Sequence, residues 1–368
     1  MFSRDELLQN IWGTDVYVLA RTVDVHIRKV REKIGEGYIS TIKGVGYKFK
    51  NDNFVDYDVN EVIVGVGGKQ ILFNALFATL NPNDEVLIPT PYWVSYPDMT
   101  LLAGGIPKFL DCKIENDFKI NANDLDKAIS KETKWLILNS PSNPSGSCYT
   151  KSELESLANV LRKHKSVNIM TDDIYEYIVY DNFKFFTLAQ VAPDLKDRIL
   201  TVNGVSKSYC MTGWRIGYAA GRKDLIKAMI KIQGQSTSNP SSISQYAALA
   251  GINGDRDFLT PCLEAFDKRR KLVVNELNSI EGIECIMPKG AFYAYPNVQG
   301  LLGRITKNGK TLINDTDVTE WLLEDAKVAA VPGVAFGLEP FFRVSYATSY
   351  EILEEALNNI KDSVNTLK

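Results

Sequence analysis

The sequence predicts an α/β fold: a mostly parallel sheet sandwiched by helices, with a small α+β C-terminal domain and a partial winged helix at the N-terminus. Short apolar strands alternate with helical patterns up to about residue 285, and a mixed pattern follows. Such alternation is typical of parallel sheets covered by helices. We therefore predict a winged-helix segment at 1–50, a junction at 51–60, a large domain at 61–285 and a small domain at 286–368.

The first 50 residues differ from the remainder in both pattern and charge. They predict a helix at 3–13, a basic helix at 20–34, and strands at Tyr38–Ile42 and Tyr47–Lys50. They hold nine Lys and Arg against six Asp and Glu, whereas the rest of the chain holds 33 against 39. The order of elements is typical of a winged helix-turn-helix. The basic face is either a DNA-binding surface or a solvated one.

Five apolar strands are predicted in the large domain. They are Glu61–Val66, Glu85–Pro89, Trp135–Asn139, Val167–Thr171 and Ile199–Asn203, with helices at Lys69–Leu80 and Lys151–Lys163 among them. The small domain is predicted to contain strands near Ala291–Tyr295, Val328–Val331 and Phe342–Tyr346, and helices near Asp317–Asp325 and Glu351–Leu367.

Composition excludes several classes of function. Five scattered cysteines without a CxxC pair predict free thiols in a reducing compartment. Two histidines are too few to favour a zinc site or a Ser-His-Asp triad, so no metal is expected. The start lacks a secretory leader pattern and no apolar run reaches membrane length, so we expect a cytoplasmic protein without membrane contact.

A lysine and an arginine follow the predicted strand Ile199–Asn203. Lys207 comes just beyond the strand end, at the edge of the sheet where open α/β folds bind ligands. Arg215 lies eight residues later, after Gly213, so its guanidinium can return to the same pocket and bind a phosphate. The alternative is a solvated lysine and a surface arginine in a loop.

Polar residues also follow two other predicted strands. Asp172 and Tyr175 come after the strand Val167–Thr171. If an aromatic ligand binds at this strand end, the acid can hold a cationic ring nitrogen of the ligand and the phenol can donate to its phenolate oxygen. Helix capping by Asp172 is the alternative. Asn143 lies in the loop after Trp135–Asn139, which is rich in turn residues and is otherwise explained as a tight loop.

The segment Gly67, Gly68 and Lys69 joins a strand to the helix Lys69–Leu80. Small residues at a helix start allow backbone N–H groups and the helix dipole to bind a phosphate. Glycine-rich turns are common, so this pattern gains meaning only from its place among the other motifs.

Two more candidates have equally specific alternatives. Trp93 follows the strand Glu85–Pro89 and is either a stacking surface for an aromatic ligand or a core residue. Arg343 alternates with apolar residues along a strand, so it faces solvent or a cleft. Its guanidinium is suited to a carboxylate, and a salt bridge on the sheet surface is the alternative.

Seven motifs occur in one order: GGKQ, PYWVSYP, NSPSNPSG, DDIYE, SK with an Arg eight residues later, GAFY and RVSYATS. By this order, Phe54 to Lys368 resembles the class I, pyridoxal-phosphate (PLP) fold type I aminotransferases, and most closely the bacterial aspartate aminotransferases, including the subgroup that accepts prephenate. The resemblance implies amino-group transfer between L-aspartate and 2-oxoglutarate through a Lys207 Schiff base, with prephenate and glutamate as further substrates. Amino acid and 2-oxo acid substrates and a homodimer are implied as well.

The same resemblance assigns roles to residues. Lys207 is the Schiff-base lysine and the general base and acid. PLP is held by Gly67, Gly68, Lys69, Trp93, Asn143, Asp172, Tyr175, Lys207 and Arg215, and substrate by Trp93, Asn143 and Arg343. One departure is Gly204, three residues before Lys207, where many members of the family place a phosphate-binding serine.

A larger departure concerns the front of the chain. Members of that family begin with an arm, a glycine-containing substrate loop and a segment that donates a tyrosine across the dimer, and we find no match to these. Instead, Phe2–Lys50 resembles the C-terminal part of an OmpR/PhoB-type winged helix, in RTVDVHIRKVREKIG and YISTIKGVGYKF. We expect impaired activity on this ground. The alternatives are a PLP-responsive winged-helix transcription regulator that binds DNA, and an artificial join of two modules.

Overall fold

The computed structural model describes residues 55–368 and the backbone of two short strands before them. The strands are β1 (Ile39–Ile42) and β2 (Gly46–Phe49), which pair antiparallel as the sequence predicts for a hairpin. The predicted helices at 3–13 and 20–34, and residues 51–54 of the predicted junction, lie outside the described residues.

A seven-stranded sheet forms the centre of residues 55–368. Its strands are β3 (Val62–Val66), β4 (Glu85–Thr90), β5 (Ile106–Asp111), β6 (Thr133–Asn139), β7 (Asn168–Asp172), β8 (Ile199–Gly204) and β9 (Ile216–Ala220), in the order β3-β9-β8-β7-β6-β4-β5. Only β9 is reversed, since it pairs antiparallel with both β3 and β8. The other six strands therefore end at one edge, and the prediction of a mostly parallel sheet is confirmed.

Ten α-helices are described in this part of the chain. They are α1 (Gly67–Thr79), α2 (Ser95–Leu102), α3 (Ala122–Ala128), α4 (Lys151–Lys163), α5 (Leu188–Val191), α6 (Lys223–Ser236), α7 (Ser242–Asn253), α8 (Leu259–Asn278), α9 (Asp315–Trp321) and α10 (Tyr350–Val364). Of these, α1, α4, α9 and α10 were predicted, and α4 has the predicted bounds.

Helices cover the two faces of the large sheet. On one face α1 and α6 pack on the strands through fully buried side chains such as Ile71 and Ile226. On the other, α4 presents Leu154, Leu157 and Leu161, whose spacing of three and four residues places them on one side of a helix. Each such burial stabilises the fold by roughly 1.5–3 kcal/mol. The strand ends that carry polar residues are thus held in a closely packed frame.

A small antiparallel sheet forms near the C-terminus, in the order β10 (Tyr293–Ala294), β12 (Phe342–Ser345), β11 (Val331–Pro332). The strand predicted at Val328–Val331 is wrong over most of its length. The helix before it ends with Lys327 in the left-handed conformation (φ 59°), and the Val328 N–H donates to the carbonyl of Leu322. Because that N–H closes the helix, it cannot pair with a strand.

Buried apolar side chains make contacts across the predicted domain boundary at residue 285. One cluster joins Val273 and Leu277 of α8 to Leu353 and Leu357 of α10. Helix α8, 20 residues long, was not predicted from the sequence, and neither were β5 and β9. The division at 285 stays a prediction. Among the described residues, no helix combines the length and apolar character needed to cross a membrane.

Candidate active site

The predicted site residues lie at the edge where six strands of the large sheet end. Asp172 is the last residue of β7, and Lys207 lies three residues beyond β8. Gly67 follows β3, which runs in the same direction as β8. Because β9 is reversed, its beginning lies at this edge, and Arg215 immediately precedes it. Chain direction alone therefore brings four motifs together.

A cavity of about 300 Å³ opens at this edge. It is lined by nine of the ten predicted site residues: Gly68, Lys69, Trp93, Asn143, Asp172, Tyr175, Lys207, Arg215 and Arg343. Gly67 lies directly behind the arginine, since a Cβ at position 67 would stand 2.5 Å from Nη2 of Arg215. The left-handed backbone of Gly67 (φ 79°) also favours glycine there. The ten residues thus form one site.

Asp172 is buried and held by hydrogen bonds from several directions. The Tyr96 hydroxyl donates to Oδ2 at 2.7 Å, and the side-chain amide of Asn139 donates to the Asp172 carbonyl at 2.8 Å. Burial raises the pKa of the carboxyl, while the hydrogen bonds from Tyr96 and from the Ile174 N–H, and the charge of Lys207, oppose that rise. A cation placed beside this group would favour its ionised form.

The environment of Lys207 favours its neutral amine. Burial lowers the pKa of the ammonium first, and the charges of Arg343 and Arg215 lower it further, whereas Asp172 opposes them. The nitrogen lies 5.7 Å from the ring centre of Tyr175 and 5.6 Å from that of Phe292. A neutral amine has the free electron pair that a nucleophile or a base requires.

Arg215 and the start of α1 form a cationic corner of the cavity. Arg215 adopts a left-handed backbone (φ 55°), and its Nη1 donates to the Thr212 carbonyl at 2.9 Å. The Thr212 hydroxyl in turn donates to the Ser206 carbonyl at 2.9 Å. The guanidinium is therefore fixed against the glycines at the helix start, where backbone N–H groups have no partner within the helix. A phosphate is the ligand that suits this corner.

Gly204 leaves no room for the serine found in many members of the resembled family. A Cβ at this position would lie 2.9 Å from the Ile216 carbonyl oxygen and 3.0 Å from Cδ1 of Ile174. The close approach of β8 and β9 therefore favours glycine here, and any additional phosphate donor must come from another residue.

Trp93 and Lys69 form a second wall. The Lys69 ammonium lies 4.9 Å from the centre of the Trp93 ring, within the range of a cation–π contact. Trp93 also meets Tyr96 edge to face at 5.3 Å and is half-buried against the core. Trp93 therefore packs against the core and also lines the cavity, and its stacking on an aromatic ligand stays a prediction.

Arg343 closes the cavity from β12 of the small sheet. Its Nη1 donates to Oδ1 of Asn143 at 2.9 Å, and its guanidinium carbon lies 4.7 Å from the Tyr293 ring and 5.0 Å from the Phe336 ring. Among the described residues, the buried Nε has no hydrogen-bond acceptor. These contacts differ from a surface salt bridge, the alternative weighed from the sequence, and a buried donor without an acceptor is suited to an anion.

Seven residues of the cavity lining were not predicted: Leu72, Tyr96, Asn139, Ile174, Ser206, Thr212 and Tyr293. Tyr96 lies three residues after Trp93 and its N–H donates to the Trp93 carbonyl in the turn that leads into α2, so the spacing in PYWVSYP was a usable signal. Tyr293 lies opposite Ser345 in the antiparallel pair β10–β12, and Arg343 is two residues further on the same face. That register could not be obtained from the sequence.

No group of three or more His, Cys, Asp or Glu side chains is placed to hold a metal ion anywhere in the described residues. All five cysteines are free thiols, of which Cys112, Cys148 and Cys285 are buried. The ionisable groups that line the cavity are the carboxyl of Asp172, the amines of Lys207 and Lys69, two guanidinium groups and three phenols.

Comparison with known proteins gives two family matches. Residues 36–360 match the family "Aminotransferase class I and II", and residues 1–49 match "Transcriptional regulatory protein, C terminal". A probable aspartate/prephenate aminotransferase of Rickettsia bellii is 54% identical over 332 residues, which cover 90% of this chain and 83% of that protein. The aspartate/prephenate aminotransferase of Cereibacter sphaeroides is 55% identical over 314 residues, 85% of this chain and 78% of that protein.

Solved structures agree with these relatives. The crystal structure of the aspartate aminotransferase from Rhizobium meliloti matches with a TM-score of 0.84 and 52% identity, over 85% of this chain and 78% of that one.

Proposed function

Because this chain belongs to the class I and II aminotransferase family, we propose that it exchanges an amino group between L-aspartate and 2-oxoglutarate, with prephenate and glutamate as further substrates, and that PLP is held at Lys207. The observation that carries the proposal is the convergence of Lys207, Asp172, Arg215 and Arg343 on one cavity of about 300 Å³. The names of the relatives at 54–55% identity support the choice of substrates.

The donor set fits PLP. We assign Asp172 to the pyridine nitrogen, where a carboxylate keeps the ring cationic, and Arg215 with the start of α1 to the phosphate. When bound, PLP supplies an electron sink for the bonds of the substrate α-carbon. The volume of the cavity is within the usual range for a small-molecule site.

Three further side chains would orient the cofactor ring. Asn143 and Tyr175 carry an amide and a phenol that can donate to the phenolate oxygen, and Trp93 offers an indole face for stacking. These roles are proposals based on the positions of the side chains around the cavity.

Lys207 carries the proton transfer in this proposal. Its lowered pKa leaves a larger share of the amine neutral near pH 7, so Nζ can take the proton from the substrate α-carbon. Arg343 and Arg215 lower the pKa of Lys207 beyond the effect of burial, and the charge of Asp172 opposes part of that lowering.

The substrate carboxylates would meet two different cations. Arg343 offers a planar pair of donors to the α-carboxylate, and its unpaired Nε supports an anionic ligand. Lys69 stands above Trp93 in the same cavity lining, where its side chain can meet the second carboxylate of a dicarboxylic substrate. We therefore expect Lys69→Ala to weaken the use of L-aspartate more than that of L-phenylalanine.

An absorbance experiment tests the proposal. The purified full chain is loaded with PLP, freed of excess cofactor, and scanned before and after L-aspartate and then 2-oxoglutarate are added. We expect a visible band of lysine-bound cofactor that L-aspartate removes and 2-oxoglutarate restores, with no such band in Lys207→Ala. A chain with Lys207 intact and no band would contradict the proposal.

We also propose a homodimer. Helix α7 exposes Ile243 at 73% and Tyr246 at 75%, and neighbouring apolar side chains on a monomer surface are typical of an interface. Sedimentation velocity over a range of concentrations should give twice the mass of one chain, and a monomer at micromolar concentration would contradict this.

Duplex DNA binding is a second candidate function, favoured by the family match at residues 1–49. In this case Arg28 and Arg31 would contact phosphates, and binding would weaken steeply with salt. We expect Arg28→Ala with Arg31→Ala to reduce affinity and the salt dependence together. Equal binding by the substituted and unsubstituted chains would eliminate the candidate.

A further inference from the structure

Tyr293 touches both halves of the candidate active site. Its hydroxyl lies 2.9 Å from the hydroxyl of Tyr175, and its ring lies 4.7 Å below the guanidinium carbon of Arg343. It also lines the cavity itself. One side chain of the small sheet is therefore in contact with the residue proposed for the cofactor phenolate and with the residue proposed for the substrate carboxylate.

The two phenols carry two protons between them. Burial raises the pKa of Tyr175 well above its usual range, and burial also raises the pKa of Tyr293 against the opposing effects of Tyr175 and Arg343. Both hydroxyls therefore stay protonated near neutral pH. A single proton lies in the hydrogen bond between the oxygens, so either phenol can be its donor.

We propose that Tyr293 is a positioning residue that donates its proton to the Tyr175 oxygen and so directs the Tyr175 proton into the cavity. This inference rests on the proposed function. If Tyr175 donates to the phenolate oxygen of PLP, its own oxygen is left as an acceptor, and the nearby Tyr293 hydroxyl supplies the proton. Two hydrogen bonds in series polarise each other, so the bond to the ligand is stronger than one from Tyr175 alone.

Arg343 reinforces this arrangement. A cation above an aromatic ring attracts its π electrons, which makes the ring hydroxyl a better donor. A carboxylate bound at Arg343 would partly neutralise that cation. Tyr293 thereby links occupation of the carboxylate site to the strength of the hydrogen bond at the phenolate, across two side chains.

A structural role for Tyr293 can be separated from this one. The ring packs at 5.9 Å from Tyr175 and 4.8 Å from Phe292 within the core of the small domain, and Tyr293→Phe keeps those ring contacts. Tyr180→Phe is the matched control, because it removes another buried hydroxyl of the same core, one that donates to the Ala291 carbonyl and does not line the cavity.

The test compares Tyr175→Phe, Tyr293→Phe, the double variant and Tyr180→Phe in the full chain. The readouts are the dissociation constant for PLP and the pH at which the absorbance band of lysine-bound cofactor changes. A hydrogen bond to the negative phenolate favours the form with the greater charge on that oxygen. We expect Tyr175→Phe to raise the midpoint pH by about 1 and to weaken PLP binding about tenfold or more.

The inference predicts a smaller change of the same sign for Tyr293→Phe, a midpoint raised by about 0.5 and binding weakened about threefold. The double variant should match Tyr175→Phe, because Tyr293 acts through Tyr175. Tyr180→Phe should lower the melting temperature and leave the midpoint unchanged.

An unchanged midpoint in Tyr293→Phe, or effects that add in the double variant, would overturn the role of Tyr293 while the proposed function stands. Failure of the unsubstituted chain to give a lysine-bound band would overturn both. These two failures are distinguished in the same spectra.

Discussion

The two halves of the candidate active site are built by different means. Asp172 and Lys207 belong to strand ends of the large sheet, so the direction of the chain places them at one edge. Arg343 and Tyr293 belong to two short antiparallel strands, and their positions depend on ring contacts and on the bond to Asn143. The first half is fixed by topology and the second by side-chain packing, so the same chemistry should respond differently to substitution in the two halves.

The largest effect is expected at the strand-end half. The described cavity lining contains two lysine amines, those of Lys69 and Lys207. Lys207→Ala removes the one whose pKa is affected by the charges of Asp172 and Arg343. General acid and base groups contribute roughly 10²–10⁴-fold, and loss of the covalent link adds to this. We expect kcat for L-aspartate to fall by at least about 10⁴-fold. The control is Lys131→Ala at an exposed lysine, which should leave kcat unchanged.

If the activity of Lys207→Ala stays within tenfold of that of the unsubstituted chain, the assignment of the reacting amine to the strand-end half is wrong. In that case the reacting amine would lie elsewhere, and the strand-end half would not hold the chemistry.

A smaller effect is expected in the packing half. Arg343→Lys keeps a positive charge and loses the planar fork, together with the hydrogen bond to Asn143. Charged hydrogen bonds contribute roughly 1.5–3 kcal/mol, which corresponds to about 10–100-fold in kcat/KM. Steady-state kinetics with L-aspartate should place most of the loss in KM. A loss confined to kcat would indicate that Arg343 acts on the reacting atoms instead of on the carboxylate.

Tyr96→Phe tests whether the strand-end half also relies on side-chain contacts. In the unsubstituted chain, the 2.7 Å hydrogen bond from the Tyr96 hydroxyl lowers the pKa of the Asp172 carboxyl. The substitution removes this bond. With the donor lost, the carboxyl holds its proton more readily and attracts a cationic ring nitrogen less. We expect PLP binding to weaken roughly 2–10-fold at pH 7. Tyr149→Phe, which removes a buried hydroxyl that accepts from the Ile120 N–H, should not change it.

The smallest effect concerns the stability of the cofactor-free protein. Burial raises the folded-state pKa of Asp172 above its unfolded value, so the protonated form is favoured on folding. Stability is then fully present below the unfolded pKa and is lost as pH rises through the folded pKa. Asp172→Asn has no such charge, and we expect its melting temperature to exceed that of the unsubstituted chain by about 2 °C at pH 8.

Calorimetry at pH 4 and pH 8 measures this difference. The advantage of Asp172→Asn should shrink at the lower pH, because a larger share of the Asp172 carboxyl is protonated there. An advantage of equal size at both values would assign it to packing and not to charge.

What the sequence could predict follows the same division. Asp172 and Lys207 were identifiable because the ends of apolar strands can be read from the sequence and parallel strands end at one edge, and Arg215 was identifiable from its spacing of eight residues from Lys207. Tyr293 was not, because its contact with Arg343 depends on the register of two-residue and four-residue strands. Helix α8 was missed too, and residues that join it to α10 through buried contacts are distant in sequence.

The reversal of β9 has one more consequence. Lys207 and Arg215 lie in a single loop between neighbouring antiparallel strands, tied internally by the bonds from Thr212 to Ser206 and from Arg215 to Thr212. Their separation depends on eight consecutive residues and not on distant helices. During gradual denaturation, the Lys207 amine and the Arg215 guanidinium should therefore keep their spacing after the small sheet has unfolded. The protein should then still bind an anionic ligand at Arg215 when it no longer discriminates among amino acids at Arg343.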